Sequence, residues 1–239
     1  MKKTIILTLS FLTFIVAFSA CMFLGPSIKG NGNVTTSYRD VGDFEQLKVS
    51  TGLKVILKQT DRNQVIVEAD ENLHDVIQSE VRGDELRLYT DQRIKNATKM
   101  SIIVEFKDID ALHTNAGASV SSDGMLQLKN LETKSSSGSS QDLKINLDHL
   151  EGKVSSGANM KLAGKAQSVN LKASSGAILK AGELTADACF ADASSGANIH
   201  IKATRKFEGE ASSGGNVFYS GNPKTVEIST SSGGNVLKR

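Results

Sequence analysis

Residues 155–179 read SSGANMKLAGKAQSVNLKASSGAIL, and this stretch decides the fold. Two Ser-Ser-Gly-Ala segments, at 155–158 and 174–177, enclose two short runs of alternating residues. In the first run Met160 and Leu162 alternate with Asn159 and Lys161. In the second, Val169, Leu171 and Ala173 alternate with Asn170 and Lys172. A period of two puts one set on each face of a β-strand. Glycine suits the sharp turn between such strands, because it reaches positive φ without a Cβ clash.

The same unit recurs on both sides. Its central glycines are Gly117, Gly138, Gly157, Gly176, Gly196, Gly214 and Gly233, a nearly constant spacing. Aligned on these glycines, the flanking residues fall into columns. Seven positions before the last six glycines stand Leu131, Leu150, Val169, Cys189, Phe207 and Val226. Three positions after all seven stand Val120, Gln141, Met160, Leu179, Ile199, Val217 and Val236, a column read as inward. Lysines such as Lys134, Lys153, Lys172, Lys161 and Lys180 fill the columns between. A unit of about 19 residues that buries its apolar face only against its neighbours is a solenoid rung. Residues 113–239 are therefore expected to form a parallel β-solenoid of about seven rungs, roughly 30–35 Å long at ~4.8 Å per layer. GKAQ (164–167) is expected to turn a second corner in its rung. Asn159, Asn198, Asn216 and Asn235 are expected to stack as an amide ladder, and the serines to satisfy corner backbone groups. Helix is excluded, since Gly and Ser interrupt every candidate turn.

Residues 34–112 are β-rich without an evident corner motif. Strands are expected at 34–39, 45–50, 53–59, 64–69, 85–90 and 101–106, with Thr60 to Asn63 as a hairpin turn. The expected role of this segment is a cap, which a solenoid end needs to avoid edge-to-edge aggregation, with irregular solenoid rungs as the alternative. Upstream, residues 1–20 have the layout of a secretory signal: Lys2 and Lys3, an apolar run, then Ser19-Ala20. Cys21 follows, as in the lipobox of bacterial lipoproteins, with Phe18 in place of the usual Leu. The expected product is an exported outer-membrane lipoprotein held to the bilayer by acyl chains on Cys21, with 21–33 as tether. Cleavage after Ala17-Phe18-Ser19 with release, or an uncleaved anchor over Ile5 to Leu24, are the alternatives.

The 28 basic and 26 acidic residues balance once Lys2 and Lys3 are set aside. That argues against a nucleic-acid partner. Candidate sites are few. Cys189 falls in an apolar column and reads as core. With Cys21 as the anchor, no disulfide is expected. His74, His113, His149 and His200 fall in different columns without metal-ligand spacing and read as surface residues. Asp148 and Asp187 share a column two rungs apart, roughly 10 Å, with Gln167 between them. Asp142, Asp192 and Glu210 lie elsewhere, so no carboxylate pair of the kind a glycosidase uses is expected. The glycines lack the following Asp of calcium-binding nonapeptide repeats. No cofactor, metal or catalytic residue is assigned, and the seven glycines are read as structural.

YRDVGDFEQLKVSTGLKVILKQ (38–59), VIVEADENL (65–73), LRLYT (86–90), the serial SSGAN corners and YSGNP (219–223) together resemble the head GIN domain of autotransporter adhesins. The resemblance covers about residues 30–239. It implies a β-helix-like fold in a secreted or lipid-anchored envelope protein, with no catalytic residues to carry over. The expected function is a non-enzymatic adhesive or structural module, with an envelope glycan or protein as ligand. The alternatives are a carbohydrate-binding or polysaccharide-processing β-helix and a sensor of envelope state.

Overall fold

The computed structural model describes residues 27–239, and the stretch read as a secretory signal and Cys21 lie outside the described residues. The architecture is an all-β parallel solenoid whose strands stack in register. Ser140–Val154 pairs in parallel with Asn159–Ala173, this with Ile178–Ala193, and this in turn with Asn198–Ala211. The last rung is Thr225–Thr230 and Asn235–Lys238. The column Leu131, Leu150, Val169, Cys189, Phe207, Val226 is a true register column.

Each corner is a four-residue turn. In Ser136-Ser137-Gly138-Ser139, the Ser139 N–H donates to the Ser136 carbonyl at 3.2 Å, and Ser137 and Gly138 have φ of 54° and 69°. Two consecutive positive φ values are the signature of a type I′ turn. The second serine thus shares the left-handed conformation with the glycine, at about 1–2 kcal/mol of intrinsic cost. A backbone ladder offsets that cost. Each corner glycine N–H donates to the carbonyl of the left-handed residue one rung on, from Gly117 to Ser137 (3.1 Å) through Gly214 to Ser232 (3.2 Å). The corner backbone is therefore satisfied mainly by backbone. Ser139 is an exception, its Oγ accepting from the Ser136 N–H.

Three sequence expectations are corrected. Ser50-Thr51-Gly52-Leu53 is an eighth corner, with Thr51 at φ 56° and Gly52 donating to the Ala116 carbonyl at 3.0 Å. Its strands, Gln46–Val49 and Lys54–Gln59, are a rung paired in parallel with Ala111–Thr114 and Ser119–Gln127. Second, Thr60 to Asn63 is not a hairpin turn. Lys54–Gln59 and Gln64–Asp70 do not pair with each other; they lie on opposite sides of Met100–Phe106, one parallel and one antiparallel to it. Third, residues 164–167 do not break the strand. Asn159–Ala173 is continuous, and the rung bends where the in–out alternation slips at Gln167 and Ser168, both outward. The prevailing glycine spacing, as from Gly138 to Gly157 to Gly176, is an odd number. A period of two cannot close on an odd repeat without one slip per rung, and this bend is where it occurs.

The cap has a clear construction. Glu85–Thr90 and Met100–Phe106 form an outermost rung. Antiparallel strands close its edge: Ile77–Arg82 on the first, Gln64–Asp70 on the second, and Val34–Asp40 beyond that. Two buried carboxylates pin this region. Asp70 accepts from the Gly32 and Thr98 backbone N–H groups at 2.8 and 2.7 Å. Glu105 is held by Arg62 at 2.6 Å and Lys58 at 3.1 Å.

Apart from those two carboxylates, the buried polar residues gather in one place among the described residues. Gln141, in a column read as inward, is buried with Thr114, Thr133, Ser135 and Ser139. Its Oε1 accepts from Thr133 Oγ1 at 2.5 Å, and its Nε2 donates to Thr114 Oγ1 at 2.9 Å and the Lys134 carbonyl at 3.0 Å. The network tolerates burial because its members satisfy one another.

Candidate functional site

At each bend the first outward residue of the slip and the outward residue two positions earlier flank one inward position, and these two rows bound a groove along the solenoid axis. It measures about 600 Å³. One rim carries Gln127, Asn146, Lys165 and Thr185, which pair rung to rung. The other carries Asp148, Gln167 and Asp187. Leu128, Leu147 and Ala166 form the floor. Hydrogen bonds fix both rims: Asn146 Nδ2 donates to Gln127 Oε1 at 2.8 Å, Gln167 Nε2 to Asp148 Oδ1 at 2.6 Å, and Thr204 Oγ1 to Asp187 Oδ1 at 2.9 Å. Arg205 lies 3.8 Å from Asp187. The structure thus brings Asp148, Gln167 and Asp187 onto one wall, as the shared column implies. It spends Asp148 and Asp187 on separate partners and leaves them apart rather than converging on one atom.

The other sequence candidates fall outside the groove. Cys189 is buried, and burial pushes its thiol up to about 12, so it is a packing residue. The histidines are less uniformly exposed than expected, and only His149 is exposed. His74 and His113 are half-buried, each with one ring nitrogen (Nδ1 and Nε2 respectively) lacking a partner. His200 is also half-buried and stacks on Phe218 at 4.7 Å between ring centroids. Asn198, Asn216 and Asn235 form the amide ladder at 3.1 Å per step. Asn159 stands apart from it, opposite Ser140 and Ile178. Among the described residues no group of three or more His, Cys, Asp or Glu side chains is placed to hold a metal.

The family model described as "Putative auto-transporter adhesin, head GIN domain" matches residues 43–223. The chain belongs to this head GIN family. Similar solved structures include a "putative adhesin" from Bacteroides fragilis, with a TM-score of 0.82 at 20% identity over 89% of this chain and 100% of that one. A "putative lipid binding protein" from Parabacteroides distasonis has a TM-score of 0.73 at 19% identity, over 89% of this chain and 99% of that one. A "putative adhesin" from Parabacteroides merdae has a TM-score of 0.70 at 16% identity, over 90% and 99%. Among curated proteins none matches the sequence. At such identities the likeness establishes the solenoid itself. The groove follows from this head GIN chain's own bend residues.

Electrostatics at the buried groups give the fold a direction with pH. Burial lowers His113 below its ordinary 6.5, and Lys134 and Lys48 push the same way against Glu132 and Glu85. The hydrogen bond from Arg62, followed by that from Lys58, holds Glu105 below 4.5 against the opposing effect of burial. Both folded values are depressed, so the unfolded chain takes up protons first as pH falls. The His113 contribution is full above about pH 6.5 and erodes below it, and the Glu105 contribution goes as pH falls through its lowered value. The urea midpoint is expected to fall between about pH 7 and about pH 5, then again toward pH 3. His113→Gln is expected to reduce the first step, to which His200, also lowered by burial, contributes, and to leave the second unchanged. A midpoint unchanged over the first interval in the unsubstituted chain contradicts this account.

Proposed function

We propose that the chain is an exported, lipid-anchored envelope protein whose solenoid serves as a non-enzymatic adhesive module. The observation that carries the reading is the way the rungs use their polar residues. Successive rungs display them as parallel ladders over the length of the solenoid, with each groove carboxylate committed to its own neighbour. An enzyme that cleaves glycosidic bonds needs two carboxyl groups converging on one bond. An extended ladder suits multiple weak contacts instead. Membership in an adhesin family and two structural neighbours described as adhesins support an adhesive role at the cell surface.

Anchoring rests on the N-terminal sequence. Lys2, Lys3, the apolar run and Ser19-Ala20-Cys21 favour acylation at Cys21. Metabolic labelling with a fatty-acid analogue is expected to mark the wild-type chain and to miss Cys21→Ser. Label retained after that substitution refutes the anchor. Adhesion is tested separately, by comparing attachment of cells with and without the chain. Equal attachment refutes the adhesive role.

A further inference from the structure

We infer that the groove along the bend is a binding site for an extended, uncharged, hydroxyl-rich chain, a neutral glycan laid along the solenoid axis. The inference deepens the adhesive reading and rests on it. Three features of the groove point to this chemistry.

The first is the floor. Leu128, Leu147 and Ala166 retain 8%, 6% and 7% exposure, whereas core residues such as Leu143, Leu162 and Leu171 have none. A narrow apolar strip therefore meets solvent on three consecutive rungs. The C–H face of a sugar ring covers such a strip without desolvating polar atoms.

The second is the rim chemistry. Lys165 and Thr185 have no side-chain hydrogen bond among the described residues, and they supply donors on one side. On the other, Gln167 gives its Nε2 to Asp148 and keeps its Oε1 as an acceptor, while Asp148 and Asp187 keep further lone pairs. The Lys165 donor facing the acceptors of Asp148, Gln167 and Asp187, with Thr185 able to do either, matches a hydroxyl, which both donates and accepts. A polyanion meets repulsion from Asp148 and Asp187. A polycation meets repulsion from Lys165 and Arg205. A wholly apolar chain desolvates both rims without compensation.

The third is where the repeat is irregular. The longest glycine spacing, Gly117 to Gly138, places its extra length between Ser121 and Met125. The spacing from Gly176 to Gly196 places its extra length where Lys161–Ala163 faces Lys180–Glu183. The shortest, Gly196 to Gly214, is absorbed between Ala181 and Ala188 of one rung and Ile201 and Lys206 of the next. Each irregularity lies after the corner, on the strand that leads into the groove, while the strand before the corner keeps its register throughout. In stacked repeats, variation gathered on one face marks the face used for binding.

The test is a printed array of neutral linear oligosaccharides beside their uronate-containing counterparts, probed with the full detergent-solubilised chain. The Gln167→Ala/Asp187→Ala double variant and a control, Lys153→Ala, on the strand before the corner are probed in parallel, after circular dichroism confirms that each keeps its β signal. Neutral glycans are expected to bind, with affinity falling about tenfold or more in the groove variant and unchanged in the control. Binding restricted to uronates, equal binding by the groove variant, or no neutral glycan bound overturns the assignment. These outcomes are separable from failure of adhesion. Cells that still need the chain to attach, with a groove blind to neutral glycans, retain the adhesive role and discard this site.

Discussion

Phe207→Ala is expected to lower the unfolding free energy by about 3–5 kcal/mol, read as a fall in the urea midpoint. Phe207 is fully buried, and it stacks on Tyr219 across the core at 4.2 Å between ring centroids. Its ring lies over the neighbouring inward position, Gly209, where an added Cβ meets Phe207 Cζ at 2.7 Å. One large and one absent side chain thus share the space that medium residues fill in other rungs. Gly152 repeats the device between rungs, since Leu171 leans over it at 2.8 Å from an added Cβ. This makes a sharper prediction than the single variant. Gly209→Ala alone is expected to cost about 1–3 kcal/mol through overpacking. The Phe207→Ala/Gly209→Ala pair is expected to cost less than the two single changes together, because the new methyl occupies part of the vacated volume. Strict additivity in urea unfolding refutes the shared-space account.

That trade between neighbours separates what the sequence shows from what it hides. Columns anchored on the glycines revealed the solenoid, its parallel register and the burial of Cys189. They depend only on period and alternation, and a solenoid repeats both. The eighth corner at Ser50 to Leu53 escaped because the chain leaves its rung at Gln59, builds the outer rung and the cap, and returns at Ala111. Gly52 and Gly117 are neighbours in space but are separated in sequence by several times the rung period, so a search at that period passes over them. Thr60 to Asn63 resembles a hairpin turn in the sequence for a related reason. Two strands joined by a tight turn usually pair, but here both pair with Met100–Phe106, a strand that arrives later. Gln141 stood in an apolar column with only its own polarity to mark it. The signal that could have found the network is collective: Thr114, Thr133, Ser135 and Ser139 are all polar at inward positions of adjacent rungs.

The groove was half legible. The column of Asp148, Gln167 and Asp187 was visible, and weighing it only as a catalytic set missed its use as a wall. The odd length of the repeat supplies the missing step. Alternation has to slip once in every odd-length rung, and Asp148, Gln167 and Asp187 are each the first outward residue of such a slip, so that wall recurs with the period itself. Insertions near the slip widen or reshape the groove without disturbing the corner ladder or the strand before the corner. Adhesive variation and structural constancy are thereby assigned to different parts of the same rung.

Gly164 sits where these two demands meet, and it yields the other large effect. It lies on the strand between the corner and the bend, opposite Ile145 of the preceding rung, with φ of 119°. A Cβ there falls inside van der Waals contact with the Ile145 carbonyl oxygen, with Met125 Sδ at 3.2 Å on the far side. Strain and clash act together, because the backbone is left-handed and the obstruction is another strand's backbone, which has no rotamer to yield. Gly164→Val is expected to cost about 3–5 kcal/mol and to lower expression of folded chain. Gly182→Ala is the matched control. Gly182 lies at the bulge of the next rung, with no atom within 4 Å of an added Cβ and no positive φ, so its replacement is expected to change stability by no more than about 0.5 kcal/mol. Thermal or urea unfolding of the two variants separates the explanations. If both glycines are equally sensitive, any side chain in this strand is harmful and the Ile145 contact is irrelevant. If Gly164→Val is tolerated, the strands part easily at this point and the groove wall beyond it is not rigid. The predicted asymmetry requires a stiff strand at Gly164 and a slack one at Gly182, which is the division between wall and bulge that the groove's shape depends on.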